Sequence, residues 1–493
     1  MYVGSLVLCV IMTILVWLWK QTRRAADWPQ GPPTIPFIGN ANINFGDILT
    51  EFRKFRLQYG DIYSLVIGSK TVIVVNGLDT LKEMFIQHGD VVSQRADTIV
   101  TSNIAKYKGL LNSSGSLWKE HRSFVLSKLK EFGLGKRMME EKILKEVAVL
   151  LQSISSTGGI TIDISPLLRT SVSNVICSVV FGRRFEHDDE RFNKIMNSIS
   201  QATEHKTIYG ILTLFPFLRF IHGDPLKYDQ MMKQVEAIDS YIQEIIEEQK
   251  NCPEQKEKEV TNYLDAFLRC QQSEKANSTQ THSQKVIFDL FGAGSDPVSI
   301  ALRWFILIIL HKPEIQENMR AEILKEVGDS RYPSTADRSM LPYCDSVLHE
   351  VLRFGNITPL PLPHGLTENL YFHGYLIPKH ALLFPNLDSV LNDPNVFENP
   401  TEFVPTRFLS KDGFLTGTEK LIAFGLGPRK CLGESLARME LFLFATSMIQ
   451  QFKFLPPEGA ALPTIYDFEF GLTRKPLEFN FRTVERVKSD VVH

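Results

Sequence analysis

Ten residues near the C-terminus constrain this chain more than any other stretch: Phe424-Gly-Leu-Gly427-Pro-Arg429-Lys-Cys431-Leu-Gly433. A single cysteine is ordinarily a small buried hydrophobe. Here Gly427 and Gly433 permit tight turns and close backbone approach to a flat ligand. An apolar helical run, Leu432 to Phe444, starts directly after the thiol. A helix N-terminus with free N–H groups lowers a thiol pKa and stabilises the thiolate. Phe424 is placed to keep water from the sulfur, and Arg429 to neutralise an anionic group of the ligand.

The other five cysteines, Cys9, Cys177, Cys252, Cys270 and Cys344, are scattered with no C-x-x-C pair. A disulfide framework or a zinc or iron–sulfur site is not expected from that spacing, and the body reads as reduced and cytosolic. At 493 residues the chain is long for one core, since domains typically run about 50–250 residues. Yet no low-complexity linker divides it, so one large domain is expected. A net charge of -2 gives no global attraction to nucleic acid.

Met1 to Trp19 carry no charge, and Lys20, Arg23 and Arg24 follow at once. That run is long enough to span a bilayer, with the body on the cytosolic side. The rival, a cleaved signal peptide, lacks its positive start and a small-x-small cleavage site. Trp28-Pro29-Gln30-Gly31-Pro32-Pro33, then Pro36, make a stiff extended connector. The expected organisation is an anchor at 1–19, a basic and proline-rich hinge at 20–40, and a catalytic domain at 41–493.

Ile62 to Ile67 and Thr71 to Val75, joined by Gly68-Ser69-Lys70, read as a β-hairpin. Apolar residues recur at helical spacing near 138–155, 165–181, 228–250, 284–310 and 313–327. Strand-like pieces return at 358–385 and 466–482. The fold class is therefore mainly α with small β-sheets. The apolar stretch Ile208 to Ile221 has two readings: a core helix broken at Pro216, or a loop that dips into the membrane.

The segment around Cys431 matches the haem-binding signature Phe-x-x-Gly-x-Arg-x-Cys-x-Gly at every defined position, and on this ground the chain resembles the cytochrome P-450 family. The resemblance implies haem b between a long distal helix and the Cys loop, with Cys431 as axial iron ligand. A thiolate there pushes electron density onto the iron and favours O–O cleavage. Glu350-Val-Leu-Arg353 and Phe403-Val-Pro405-Thr-Arg407-Phe408 are similar to two further family segments. In the family they form a buried, structural Glu–Arg–Arg network. Trp118 and Arg122 share one helix face and present donors suited to carboxylates. The resemblance makes them haem-propionate contacts, together with Arg95 and His364. Asn174 to Gly182, Gly471-Leu-Thr473-Arg, the anchor and the hinge resemble the animal microsomal family-2 members.

One position departs from the pattern. Asp289-Leu-Phe291-Gly-Ala293-Gly294-Ser295-Asp296-Pro297-Val298-Ser299 contains Ala293, Gly294 and Asp296 of the family's Ala-Gly-x-Asp/Glu-Thr, but Pro297 replaces the threonine. Proline lacks the hydroxyl that holds a proton path, and inside a helix it removes a hydrogen bond and costs about 3 kcal/mol. A kink is expected over the haem. Asp296 can feed protons, with water, Ser295, Ser299 or the substrate itself as the candidate relays in place of the threonine.

The resemblance implies a monooxygenase acting on a fatty acid, steroid or xenobiotic. Electrons would come from NADPH through a flavoprotein reductase, with a cytochrome b-type donor as a further partner, at the endoplasmic reticulum membrane. Pro297 keeps two alternatives open: an O2-independent hydroperoxide isomerase or dehydratase, and a haem-binding protein without turnover. Phe291, Ala293, Leu360 and Leu472 are expected substrate-pocket residues. Lys119, Lys128, Lys130 and Lys430 would form a basic docking face for an acidic reductase.

Overall fold

Helical periodicity in the middle of the chain resolves into a stack of packed helices around two that are buried on every side. The computed structural model describes residues 23–486 except 69, 134–136, 205–207, 252–259 and 273–279, with isolated positions before residue 23. The expected anchor at 1–19 lies outside the described residues, apart from Leu6, Cys9, Val10, Met12, Thr13 and Val16, which are helical.

The longer helices are α1 (Ile48–Tyr59), α2 (Gly115–Glu131), α3 (Arg137–Ser155), α4 (Ser165–Val180), α5 (Glu190–Glu204) and α6 (Tyr228–Lys250). They continue with α7 (Tyr263–Gln272), α8 (Gln280–Ser295), α9 (Pro297–His311), α10 (Pro313–Glu326), α11 (Pro342–Gly355) and α12 (Glu434–Gln451). Proline opens α9, α10 and α11, where its missing N–H costs nothing and its fixed φ suits the first turn. Every residue of α9 from Val298 to Leu310 is buried, and α12 is buried from Met439 to Gln450. Such all-round burial marks core helices. The only described stretch long and apolar enough to cross a membrane, Gln284–His311, is this core pair α8–α9, and it is mostly enclosed by protein.

The expected hairpin forms: β1 (Ile62–Ile67) pairs antiparallel with β2 (Lys70–Val75), with Leu65 opposite Val72. β2 continues through β7 (Leu382–Pro385) and β4 (His364–Gly365) to β3 (Gln94–Arg95). That register sets Arg95 directly opposite His364. Smaller pairs form between β5 (Leu370–Phe372) and β6 (Tyr375–Ile377), β8 (Phe452–Leu455) and β11 (Arg482–Glu485), and β9 (Phe468–Phe470) and β10 (Arg474–Pro476). The hinge is strapped to β1. The Arg24 guanidinium donates to Ser64 Oγ at 2.7 Å and to the Gly31 and Pro32 carbonyls, and Asn40 donates to the Pro32 and Pro33 carbonyls.

Two sequence expectations need correction. Ile208 to Ile221 is not a core helix: it is one π-type turn, Ile208–Leu212, and one 3-10 turn, Pro216–Phe220. Leu212 and Leu214 are buried, whereas Phe217, Phe220 and Ile221 are 64%, 76% and 48% exposed. The segment from 284 to 310 is two helices rather than one. The ladder is interrupted at Asp296, which bends before Pro297. The proline has no N–H for the Ala293 carbonyl, so the break falls where the sequence places it.

Candidate functional site

The loop before α12 folds back on itself. The Cys431 N–H donates to the Phe424 carbonyl at 2.9 Å. Gly427 is left-handed at φ 67°, and a Cβ there would collide with the Phe85 carbonyl. Only glycine fits both demands. Gly433 is different: its φ is -88°, so it needs no left-handed freedom, and a Cβ would meet only the Cys431 sulfur at 4.0 Å.

Cys431 opens into a cavity of about 520 Å³. The residue is accessible from that side, while protein surrounds it elsewhere. Burial raises its thiol pKa more than the Gly433 N–H, Arg122 and Lys430 lower it. The Gly433 amide lowers the thiol pKa as expected of a helix N-terminus, but desolvation outweighs it. A bound metal cation holds a coordinating thiol deprotonated outright.

Beside the thiol, cationic side chains converge from distant segments. The Arg429 guanidinium lies 3.9 Å from the Trp118 ring centroid, and Arg122 lies 5.9 Å from it. Arg429 donates to the Ser93 and Ser113 carbonyls at 2.7 and 2.6 Å, Arg95 to Leu111 and Leu362, and Arg122 to Lys430. None of the three makes an ion pair among the described residues. Burial, then repulsion from Arg95 and Arg122, lowers the Arg429 pKa to about 8. Burial lowers Arg95 to about 10. His364 is buried edge-on to Phe85 and bonded through Nδ1 to the Val92 carbonyl at 2.8 Å. Burial and the neighbouring Arg95 push its pKa well down. The Trp118 indole N–H has no hydrogen-bond partner among the described residues. All five side chains line the cavity.

A cluster of mutually repelling guanidiniums, each satisfied only by neutral carbonyls, is complementary to a ligand carrying more than one negative charge. With an accessible thiol on the same cavity, the residues fit a flat, anionic metallo-cofactor such as haem.

The α8–α9 break lines the same cavity. Ala293, Gly294, Asp296 and Pro297 face the cavity. A Cβ on Gly294 would come within 2.7 Å of the Ile176 side chain, so close packing of α4 also demands this glycine. Ser295 does not face the cavity. Its hydroxyl donates to the Phe291 carbonyl at 2.6 Å, and that of Ser299 donates to the Asp296 carbonyl at 2.7 Å. At about 100° per residue, Ser295 points almost opposite to Ala293, which removes it from the candidate proton carriers.

Of the expected pocket residues, Ala293 and Leu472 line the main cavity. Leu360 instead lines an adjoining chamber of about 150 Å³, which shares Leu362 and Leu472 with it. Phe291 is core, packed against Phe181 and Phe192 at 5.6 and 6.3 Å. Phe288 takes the cavity position. Lys108 and Asp289, from the segments 99–113 and Phe288 to Ala293 expected to line the substrate pocket, also line the cavity, as does Glu440, which was not assigned from sequence. Asp289 Oδ2 accepts the Leu110 and Leu111 N–H groups at 2.6 and 2.8 Å. Nothing local marked Glu440.

The frame behind the Cys loop is a buried ion network. Arg353 grips Glu350 with two bonds of 2.7 Å, and Arg407 Nε lies 3.0 Å from both carboxylate oxygens. Arg353 also donates to the Leu391, Pro400 and Glu402 carbonyls. This ties α11 to the segment that leads into the Cys loop.

The cytochrome P450 family pattern matches residues 29–481. Cytochrome P450 2H1 of Gallus gallus is 34% identical over 459 residues, 92% of each chain. Cytochrome P450 2J2 of Homo sapiens is 33% identical over 491 residues, 98% of this chain and 96% of the relative. Cytochrome P450 2C8 of Homo sapiens is 34% identical over 455 residues, 91% and 92% of the two chains. With a mainly helical fold, small sheets and an accessible cysteine in the matching loop, the chain belongs to the cytochrome P450 family of haem-thiolate monooxygenases.

Proposed function

We propose that this monooxygenase inserts one oxygen atom from O2 into a lipophilic small molecule, with electrons drawn from NADPH through a flavoprotein reductase. The observation that carries this reading is that Cys431 and the α8–α9 break line one largely apolar cavity. Bound haem b supplies the redox-active iron. Cys431 would ligate that iron through its thiolate, and Arg95, Trp118, Arg122, His364 and Arg429 would hold the propionates. Val92 can only accept at His364 Nδ1, so that nitrogen carries the proton. Nε2 then becomes a second donor only if an anion beside it restores the imidazolium. Phe424 would shield the thiolate, with the Arg438 guanidinium over its ring at 5.0 Å from the centroid. Asp296 is the proton-handling group on the distal wall, because the hydroxyls of Ser295 and Ser299 are committed to their own helix. Val100, Ile104, Phe288 and Leu472 exclude water and favour apolar substrates.

The exposed Lys119 and Lys130, with Lys128 and Lys430 paired to Glu131 and Glu434, suit an acidic reductase and a cytochrome b-type donor. Residues 1–19 anchor the chain in the endoplasmic reticulum membrane, 20–40 form the hinge, and 41–493 the cytosolic catalytic domain. Phe217, Phe220 and Ile221 offer a second, peripheral membrane contact.

The test is a reconstituted assay with reductase, NADPH and labelled O2, run beside a fatty-acid hydroperoxide without reductase. Label in the product and NADPH consumption are expected. Unlabelled product with rapid hydroperoxide turnover would show an isomerase instead. A C431A variant that kept the thiolate-type Soret band of the reduced carbon monoxide complex would remove the haem assignment.

A further inference from the structure

Between α11 and α12 an imidazole meets a guanidinium, a pairing of two bases that works only if one of them stays neutral. His349 lies on α11, one residue before Glu350, and is buried. Its Nδ1 lies 2.7 Å from the Asp345 carbonyl, which can only accept. Its Nε2 lies 3.1 Å from Arg438 Nη1, which can only donate. One state satisfies both contacts: a neutral ring with its proton on Nδ1 and a lone pair turned to Arg438.

The charges around the ring balance while it is neutral. On α11, Asp345 Oδ1 is 3.4 Å from Nδ1 and is paired with Arg338 of the 3-10 turn Thr335–Met340. On α12, Arg438 Nε donates to Glu434 at 3.0 Å, and Glu434 also takes Lys430. Phe408, from the segment that leads into the Cys loop, packs on the ring with centroids 5.6 Å apart. Arg438 links this cluster to the thiol. Its guanidinium lies over the Phe424 ring, and the Phe424 carbonyl accepts the Cys431 N–H. Phe424 and Cys431 line the cavity together. Glu434 is shared with Lys430, and a cation–π contact at a partly exposed site is weaker than the rotamer entropy of a free arginine. His349 supplies the remaining fixed point, without which the guanidinium can swing toward solvent.

We propose that His349 is a positioning residue for the thiolate: by accepting from Arg438 it fixes the guanidinium on Phe424, and the ring so held keeps water from the Cys431 sulfur. The inference rests on the haem-thiolate reading above and adds to that site a residue outside the cavity.

The test times the loss of the thiolate-type Soret band from the reduced carbon monoxide complex of the holoenzyme. In H349N the amide stands near Nδ1, so Asp345 keeps its donor while Arg438 loses its acceptor. In H349Q the amide oxygen stands near Nε2 and restores that acceptor. H349N is expected to lose the band about tenfold faster than wild type, the change expected of one hydrogen bond to a charged group. H349Q should match wild type, which a merely structural role for the ring would not require. R438M should lose the band as fast as H349N, and H349N/R438M no faster than either. A wild type without the band would overturn the haem-thiolate reading and this inference with it. A wild type that shows the band, with H349N equally slow to lose it, would overturn this inference alone. So would an H349Q as fast as H349N, or additive effects of H349N and R438M.

Discussion

Replacing Pro297 by threonine should change the chemistry while leaving the fold almost as stable as before. The usual interior cost of proline, about 3 kcal/mol, does not apply here, because Pro297 occupies the first turn of α9 after a bend already made at Asp296. P297T restores an N–H to the Ala293 carbonyl, a gain of about 1 kcal/mol. It also frees the unfolded chain, a loss of about 0.4–1 kcal/mol. These terms nearly cancel, so the urea midpoint should stay close to wild type. Catalysis has no such cancellation. Pro297 faces the cavity while Ser295 and Ser299 do not, so P297T adds a hydroxyl to this stretch of the distal wall. A positioned proton donor contributes about 10²–10⁴-fold. Even part of that should raise the ratio of product formed to NADPH consumed several-fold, with less hydrogen peroxide released. P297A is the control, since it restores the N–H without the hydroxyl and should leave coupling low. If P297T couples no better than P297A, the proline does not limit oxygen activation.

Three further outcomes follow from buried charges. E350Q leaves Arg353 and Arg407 without their counter-charge in a site where Glu350 is fully buried. Breaking such a network costs about 3–5 kcal/mol, so the urea midpoint should fall sharply, and a wild-type midpoint would show that the network is not structural. R429M removes one charge-assisted contact of about 1.5–3 kcal/mol. Haem loss to an apoprotein acceptor should quicken by about 10–100-fold, and an unchanged rate would count against the propionate role. Asp289 has its carboxyl raised from 3.8 to about 7, because burial outweighs the two amides that favour its ionised form. The folded state therefore holds this proton more tightly than the unfolded chain, and stability is lost as pH rises through that window. D289N keeps an acceptor for Leu110 and Leu111 and should flatten that slope. Urea midpoints measured across the window that are parallel in the two proteins would refute the assignment.

What the sequence disclosed was whatever depends on short spacing. Phe424 to Gly433 lies on one loop, Trp118 and Arg122 on one helix face, and Glu350 and Arg353 on another, so each could be read without the fold. Arg95 and His364 could be named only by resemblance. Their adjacency comes from two strands of two residues each, paired across most of the chain, and neither strand carries a pattern of its own. Phe291 and Phe288 show a different limit. On a helix that is apolar on several faces, periodicity does not say which face meets the core and which the cavity. Ser295 failed for the same reason, since only the observed rotation of α8 turns it from the cavity.

The arginine cluster shows why spacing and geometry have to be read together. Sequence shows Arg429 two residues before the thiol, and a lysine there would also be cationic. In the fold, Arg429 lies flat on Trp118 and reaches the Ser93 and Ser113 carbonyls with separate nitrogens. A planar guanidinium can do all of this at once, and a single ammonium cannot. The same side chain is repelled by Arg95 and Arg122. Carbonyl bonds offset its desolvation but not that repulsion, which only added negative charge can relieve. Binding of an anionic cofactor is thereby coupled to stability of the whole proximal end, since a ligand bound only by the folded state stabilises it. On the proposed reading the Cys431 loop would be held most firmly with the cofactor's carboxylates in place, because Arg429 belongs to that loop and would pair with them.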